Sequence, residues 1–214
     1  MIEKNYRKVK EASEGKAVLC VVSKTRSFEE IMTYYEAGER VFAENRAAEL
    51  KKKAAVLPSD IQWQFIGHLQ TNKVRMIMPY VSCIQSLDSR RLADEIEKAA
   101  AGINRTVDVL LEFHIAEEDT NKTGASEEDA FSLLAYCRAL SHLCVKGIMV
   151  MGPHTDDEER IRAVFEKART LFEALRAEYP DLTVLSMGMS SDYETALSCG
   201  STMIRIGTML FEEE

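Results

Sequence analysis

A lysine ends the most apolar run near the start of the chain, Ala17-Val18-Leu19-Cys20-Val21-Val22-Ser23-Lys24. A segment this apolar and β-branched suits a strand buried on both faces of a parallel sheet. Its last residue then emerges at the carboxyl end, the edge where α/β folds keep their chemistry. The Lys24 amine is either a solvated charge or, if burial and a neighbouring cation strip its proton, a nucleophile toward an aldehyde. A second group stands near the other end, in Thr202-Met203-Ile204-Arg205-Ile206-Gly207-Thr208. Alternation that turns Ile204 and Ile206 toward a helix layer turns Met203 and Arg205 inward. A buried guanidinium needs a partner. Either Glu112, on the same strand face as Asp108, Leu110 and His114, or a bound polar ligand would serve. Two turns of small hydroxyl residues complete the set, Gly188-Met189-Ser190-Ser191-Asp192 and Gly207-Thr208. They read as ordinary turn and capping chemistry or as a cradle for a phosphate group.

To share one rim, these groups must stand on strands separated by helices, and the chain alternates in that way. Strands are predicted at Val18 to Lys24, Arg40 to Glu44, Gln62 to Gly67, Cys83 to Leu87, Val107 to Ile115, Val145 to Met151, Thr183 to Gly188 and Thr202 to Gly207. A short amphipathic helix up to about Ala12 precedes the first strand. Helices follow the first seven, starting near Ser27, Asn45, Gln70, Asp88, Ser126, Asp156 and Ser190. The sixth is the clearest: Ile161, Val164, Phe165, Ala168, Leu171, Phe172 and Leu175 recur at helical spacing until Pro180 stops it. Ser27 with Glu30, and Ser126 with Asp129, have the spacing of capping pairs. Strict alternation without a long linker predicts an α/β chain folded as a single (β/α)8 TIM barrel over residues 1–214, with an open doubly wound sheet as the alternative. In the barrel, an amine, an inward arginine and two phosphate-suited turns on one rim fit pyridoxal 5′-phosphate.

Composition narrows the classes. The net charge is -8 and the pI near 5.2, with Lys and Arg scattered among the acids, so nucleic acid is not expected as a ligand. No apolar run is long enough to span a bilayer, and Met1-Ile2-Glu3-Lys4-Asn5-Tyr6-Arg7 reads as a polar helix start, so a cytoplasmic location is expected. The five cysteines form no C-x-x-C pair and read as buried free thiols. His68, His114, His142 and His154 lack metal-ligand spacing, so no metal is expected. The Gly188 turn does not complete a G-x-S-x-G hydrolase signature.

Seven segments carry a resemblance through nearly the whole chain: Val22-Ser23-Lys24-Thr25, Phe42-Ala43-Glu44-Asn45, Trp63 to Lys73, Gln85-Ser86-Leu87-Asp88-Ser89, Lys122-Thr123-Gly124, Leu185 to Asp192 and Arg205-Ile206-Gly207-Thr208. In this order they resemble the YggS/PROSC-type pyridoxal phosphate homeostasis proteins. The resemblance implies a barrel of the fold type III class, similar to the alanine racemase N-terminal domain. By the same resemblance Lys24 is the Schiff-base lysine, and Arg205 faces the pyridine nitrogen. Ser190, Ser191, Gly207 and Thr208 form the phosphate cradle, and Asn45 and His68 belong to the pocket wall. It implies a carrier that holds the cofactor reversibly, contributes to intracellular homeostasis of this vitamin B6 form and hands it to apo-enzymes. Catalysis and oligomerisation are not expected. A racemase-like enzyme is the alternative, and a barrel enzyme acting on a phosphorylated metabolite without cofactor is a third reading. Ala43 replaces the family's usual glycine in its F-G-E-N motif, and Glu112 and His114 stand where an amide pair is expected. The segment before the first strand is shorter than usual, and the chain stops at Phe211-Glu212-Glu213-Glu214 where the family commonly continues.

Overall fold

The computed structural model describes residues 2–115 and 124–212. Its strands are β1 (Val18–Val22), β2 (Val41–Glu44), β3 (Gln62–Phe65), β4 (Val81–Leu87), β5 (Val107–Phe113), β6 (Leu143–Val150), β7 (Val184–Ser186) and β8 (Met203–Ile206). They pair in chain order and close on themselves into a parallel barrel, β1 meeting β8 through Val18↔Met203 to Val21↔Ile206. The expected barrel is therefore found, and the open-sheet alternative falls away. The helices are α1 (Ile2–Ser13), α2 (Phe28–Glu36), α3 (Ala47–Ala54), α4 (Val74–Ile77), α5 (Arg90–Ala101), α6 (Ala130–Arg138), α7 (Glu158–Glu178), α8 (Tyr193–Ser198) and α9 (Thr208–Phe211), with a 3-10 turn at Thr71–Lys73.

Period-two alternation divides each strand between two cores. Outward residues such as Leu19, Val21, Phe42, Trp63, Ile84, Val109, Leu111, Ile148, Ile204 and Ile206 pack against the helices in one continuous apolar layer. Inside the barrel, Cys20, Val22, Ala43 and Met203 form one cluster and Cys83, Leu110 and Met149 another. The inward turn expected for Met203 and Arg205 is thus present. Six strands end one or two residues earlier than expected, with Ser23-Lys24, Gly67 and Gly207 already in the rim loops, whereas β2 and β4 end at Glu44 and Leu87 as expected.

Local chemistry sets the helix starts. Ser27 forms a complete capping box with Glu30, its hydroxyl accepting from Glu30 N and its N–H donating to the Glu30 carboxylate. Ser126 pairs with Asp129 as its spacing suggests, at 2.8 Å, but this closes a separate turn and α6 begins only at Ala130. Asp157 caps α7, accepting from Glu159 N and Arg160 N, and the helix runs to Glu178. The four-residue α9 is not anticipated by sequence pattern. It docks on α1 and α2: Asn5 Nδ2 donates to Met209 O at 3.0 Å, the Tyr34 hydroxyl donates to Leu210 O, and Leu210 and Phe211 are buried in the outer core.

Candidate functional site

Every residue singled out for chemistry lies at the carboxyl end of the barrel. Lys24 is exposed two residues beyond β1, and Asn45 follows β2 directly. A Cβ on Gly67 would fall against the Asn45 carbonyl, so only glycine lets the β3 loop approach Asn45 this closely. His68 is exposed beside that approach, its Nδ1 3.9 Å from Asp88 Oδ2. Asn45 and His68 line a cavity of about 290 Å³ with Arg46, Gln70 and Lys73. Ser190, Ser191 and Thr208 line another of about 540 Å³, walled by Asn5 and Lys8 of α1. The structure thus places the eight residues on one rim while dividing five of them between two cavities, with Lys24, Arg205 and Gly207 outside both.

Arg205, only 4% exposed, reaches up inside the barrel from β8. Its Nη1 donates to Ser186 Oγ at 2.7 Å and its Nη2 to Val150 O at 3.0 Å. Ser186 in turn donates to Gln85 Oε1 at 2.7 Å, and Gln85 Nε2 donates to Gln64 Oε1 and, at 3.2 Å, to Met203 Sδ. This relay of inward polar residues on β3, β4 and β7 holds the guanidinium plane. Burial pulls the Arg205 pKa down, opposed by Cys20 in the alkaline range where its thiol ionises and by the Asp192 and Glu112 carboxylates. Glu112 therefore acts on Arg205 electrostatically, while the guanidinium donates to Ser186 and Val150. The Cys20 thiol is itself pushed up to about 12 by burial, so it is neutral at physiological pH. Among the described residues no acceptor meets Arg205 Nε–H.

The two turns beside Arg205 are built as an open donor set. Gly188 has φ +98, and its carbonyl accepts from Arg205 N at 2.9 Å, tying the β7 turn to β8. Asp192 Oδ1 accepts from Met189 N at 2.6 Å, closing the turn on itself. Ser190 Oγ accepts from Met209 N at 3.3 Å and joins the turn to the start of α9. Among the described residues the backbone N–H groups of Ser190, Ser191, Gly207 and Thr208 meet no acceptor. Four open amide donors on adjoining turns suit a phosphate, which offers only acceptors. Just beyond β5, opposite β1 in the ring, His114 carries an Nε2 atom that is buried without a hydrogen-bond partner. An amine, an arginine N–H, open amides and an orphaned imidazole nitrogen are the donors and acceptors that a phosphorylated pyridine aldehyde would use.

Sequence reasoning missed two parts of this apparatus. Gln64, Gln85 and Ser186 were recoverable, since each is a polar residue at an inward strand position. Lys53 was not: it sits in the run Lys51-Lys52-Lys53, yet it is buried with its amine on Ser23 O, Glu44 and Glu49. Lys122 and Thr123 lie outside the described residues. No described helix is long and apolar enough to cross a membrane, and no described cluster of His, Cys, Asp and Glu could hold a metal ion.

The sequence matches the family described as "Alanine racemase, N-terminal domain" across residues 1–214. It is 42% identical over 217 residues to the pyridoxal phosphate homeostasis protein of Aquifex aeolicus, covering 100% of this chain and 95% of that one. The protein of the same name from Pasteurella multocida is 34% identical over 203 residues, covering 92% and 87%. Among solved structures, PipY of Synechococcus elongatus without PLP matches with a TM-score of 0.93 and 33% identity, over 99% of this chain and 100% of that one. PipY with PLP bound matches at 0.90 and 32%, over 99% and 100%. An alanine racemase of Clostridium difficile shares the fold at 13% identity, with a TM-score of 0.86 over 100% of this chain and 56% of that one.

Proposed function

The chain belongs to the alanine racemase N-terminal domain family and to its pyridoxal phosphate homeostasis proteins, and from that membership we propose that it is a reversible carrier of pyridoxal 5′-phosphate. The whole chain, 1–214, acts as one binding unit. Its relatives carry homeostasis of this cofactor in their name, and PipY has been solved with PLP bound. The observation that carries the reading is the set of four open N–H groups at Ser190, Ser191, Gly207 and Thr208, adjoining the strand of Arg205.

When bound, the cofactor supplies an aldehyde that an amine can capture and release. Lys24 provides that amine from the end of β1, next to β8 in the ring. The amides of the two turns hold the phosphate and so fix which way the ring lies. Arg205, whose Nε–H meets no acceptor among the described residues, would donate to the ring nitrogen. A guanidinium there would hold that nitrogen unprotonated, since it has no lone pair to accept a hydrogen bond from a ring N–H and only donates. A ring nitrogen kept neutral draws electrons from a substrate poorly, which favours holding over turnover. Asn45 and His68 stand on the loops next around the rim and complete the wall.

The test is the visible absorbance of the purified protein titrated with pyridoxal 5′-phosphate, alongside Lys24→Ala. Wild type is expected to develop a bound-cofactor band that the variant lacks, and no amino acid is expected to be racemised. A variant band equal to the wild type's removes Lys24 from the reading, and sustained racemisation abolished by Lys24→Ala replaces the carrier with an enzyme. The reading extends to a cytoplasmic monomer that passes the cofactor to apo-enzymes. Reactivation of an apo-enzyme by the loaded protein faster than by an equal concentration of free cofactor checks the transfer, and light scattering checks the monomer.

A further inference from the structure

Directly behind Lys24 lies a buried cation. Lys53, on α3, is 3% exposed, and its Nζ donates at 2.7 Å to each of three acceptors: Ser23 O, Glu44 Oε1 and Glu49 Oε1. An ammonium has three N–H bonds, and all three are used. The Ser23 carbonyl belongs to the peptide unit immediately before Lys24. The N–H immediately after it, on Thr25, donates at 2.7 Å to the same Glu49 oxygen. Ser23 Oγ adds a 2.7 Å bond to Glu44 Oε1, and Ser23 N bonds Ala43 O of β2 at 3.0 Å. Both peptide units flanking Lys24 are therefore anchored to one ion cluster. Thr25 is held at φ +65, a conformation that a β-branched residue rarely adopts unless its surroundings impose it.

Stability alone is a weak reason for such a cluster. Burying ions is expensive, and apolar residues of similar volume in place of the whole Lys53, Glu44 and Glu49 cluster would serve packing as well or better. What an apolar residue could not do is bind a backbone carbonyl on one side of Lys24 while neutralising the carboxylate that binds the backbone N–H on the other. Burial pushes the Glu49 carboxyl up, but hydrogen bonds from Lys53 and Thr25 N outweigh it and hold it below the ordinary range, so it stays an acceptor. We infer that Lys53 is a positioning residue for Lys24: through Ser23 and Glu49 it fixes the direction in which the Lys24 amine leaves the rim. The inference rests on the reading of Lys24 as the group that captures the aldehyde.

Two ligands separate positioning from general support. Pyridoxal 5′-phosphate needs both the phosphate cradle and a correctly aimed amine, whereas pyridoxine 5′-phosphate, an alcohol, needs only the cradle. Dissociation constants for both are measured on wild type, Lys53→Met, Lys53→Arg and Lys24→Ala, with folding checked by circular dichroism. Lys53→Met is expected to weaken the aldehyde ligand by about tenfold, the scale of a lost charged hydrogen bond. It should leave the alcohol within about twofold, and Lys53→Arg should recover most of the loss. Equal weakening of both ligands, or of neither, overturns the inference. If Lys53→Met does not fold, Glu49→Ala cuts the Thr25 anchor and carries the same expectations. Lys24→Ala should lose the preference for aldehyde over alcohol. If it keeps that preference, the reading of Lys24 fails and the positioning inference with it; if only the Lys53 variants keep it, the positioning inference alone fails.

Discussion

Replacing Gly188 by alanine should cost stability and cofactor affinity together, and the size of the first follows from two terms. At φ +98 an L-residue pays for a left-handed backbone, about 1–2 kcal/mol. The new Cβ would also stand 2.6 Å from Ala196 Cβ and 3.1 Å from Tyr193 Cα. Ala196 is wholly buried on α8, so relief requires the turn or the helix to shift, an overpacking cost of about 1–3 kcal/mol. A central value of about 3 kcal/mol corresponds, for a chain of this length, to a melting temperature lower by roughly 6–12 °C. The same shift moves Ser190 and Ser191 away from Gly207 and Thr208, so pyridoxal and pyridoxine 5′-phosphate should weaken in equal proportion. Calorimetry gives the first quantity and parallel titrations the second. Melting within about 2 °C of wild type would refute the packing argument, and weakening confined to the aldehyde ligand would refute the assignment of the turn to the phosphate.

Two further outcomes probe other parts of the molecule. Of the five cysteines only Cys144 is partly exposed; burial pushes the Cys20 and Cys137 thiols up to about 12 and Cys83 well above its ordinary value. A thiol reagent followed by mass spectrometry should therefore mark Cys144 alone in the native protein and all five after unfolding, and native labelling of Cys20 would contradict the packed barrel floor. Because the folded Glu49 pKa is depressed, its contribution is present above the ordinary glutamate value of about 4.3 and is lost as pH falls through the folded value. Denaturant titrations from pH about 5 down to about 3 should show a shallower loss of stability in Glu49→Ala than in wild type, and identical slopes would sink that assignment.

The strands and their inward and outward faces were legible because period-two alternation is written residue by residue, as Ile204 and Ile206 against Met203 and Arg205 demonstrate. Ring closure was legible from alternation of element types without long linkers. Rim residues such as Lys24 and Gly207 were legible as strand-end positions, though not that they would stand outside the two cavities lined by the other rim residues. Boundaries blurred where a side-chain bond makes a turn before the helix, as Ser126 and Asp129 do ahead of α6. The Lys53 cluster was illegible for a different reason. Two of its partners, Ser23 of the loop after β1 and Glu44 of β2, come from outside α3, and the local pattern around Lys53 is that of a solvated face. Only tertiary geometry distinguishes it from Lys51 and Lys52.

Pairing of Val18 with Met203 makes the last strand the partner of the first. Such a contact has high order in the sequence, and the entropy of closing so long a loop is met only when the ring shuts, which makes closure a late event in folding. Lys24 stands on one side of that seam, with Arg205, Gly207 and Thr208 on the other. On a ribosome the amine would emerge early and wait for nearly the entire chain before its pocket existed. A ligand that recognises both sides selects chains whose ring has shut and stabilises them by mass action. The appearance of the bound-cofactor band during refolding is then a clock for closure itself, read out by the ligand the closed barrel was built to hold.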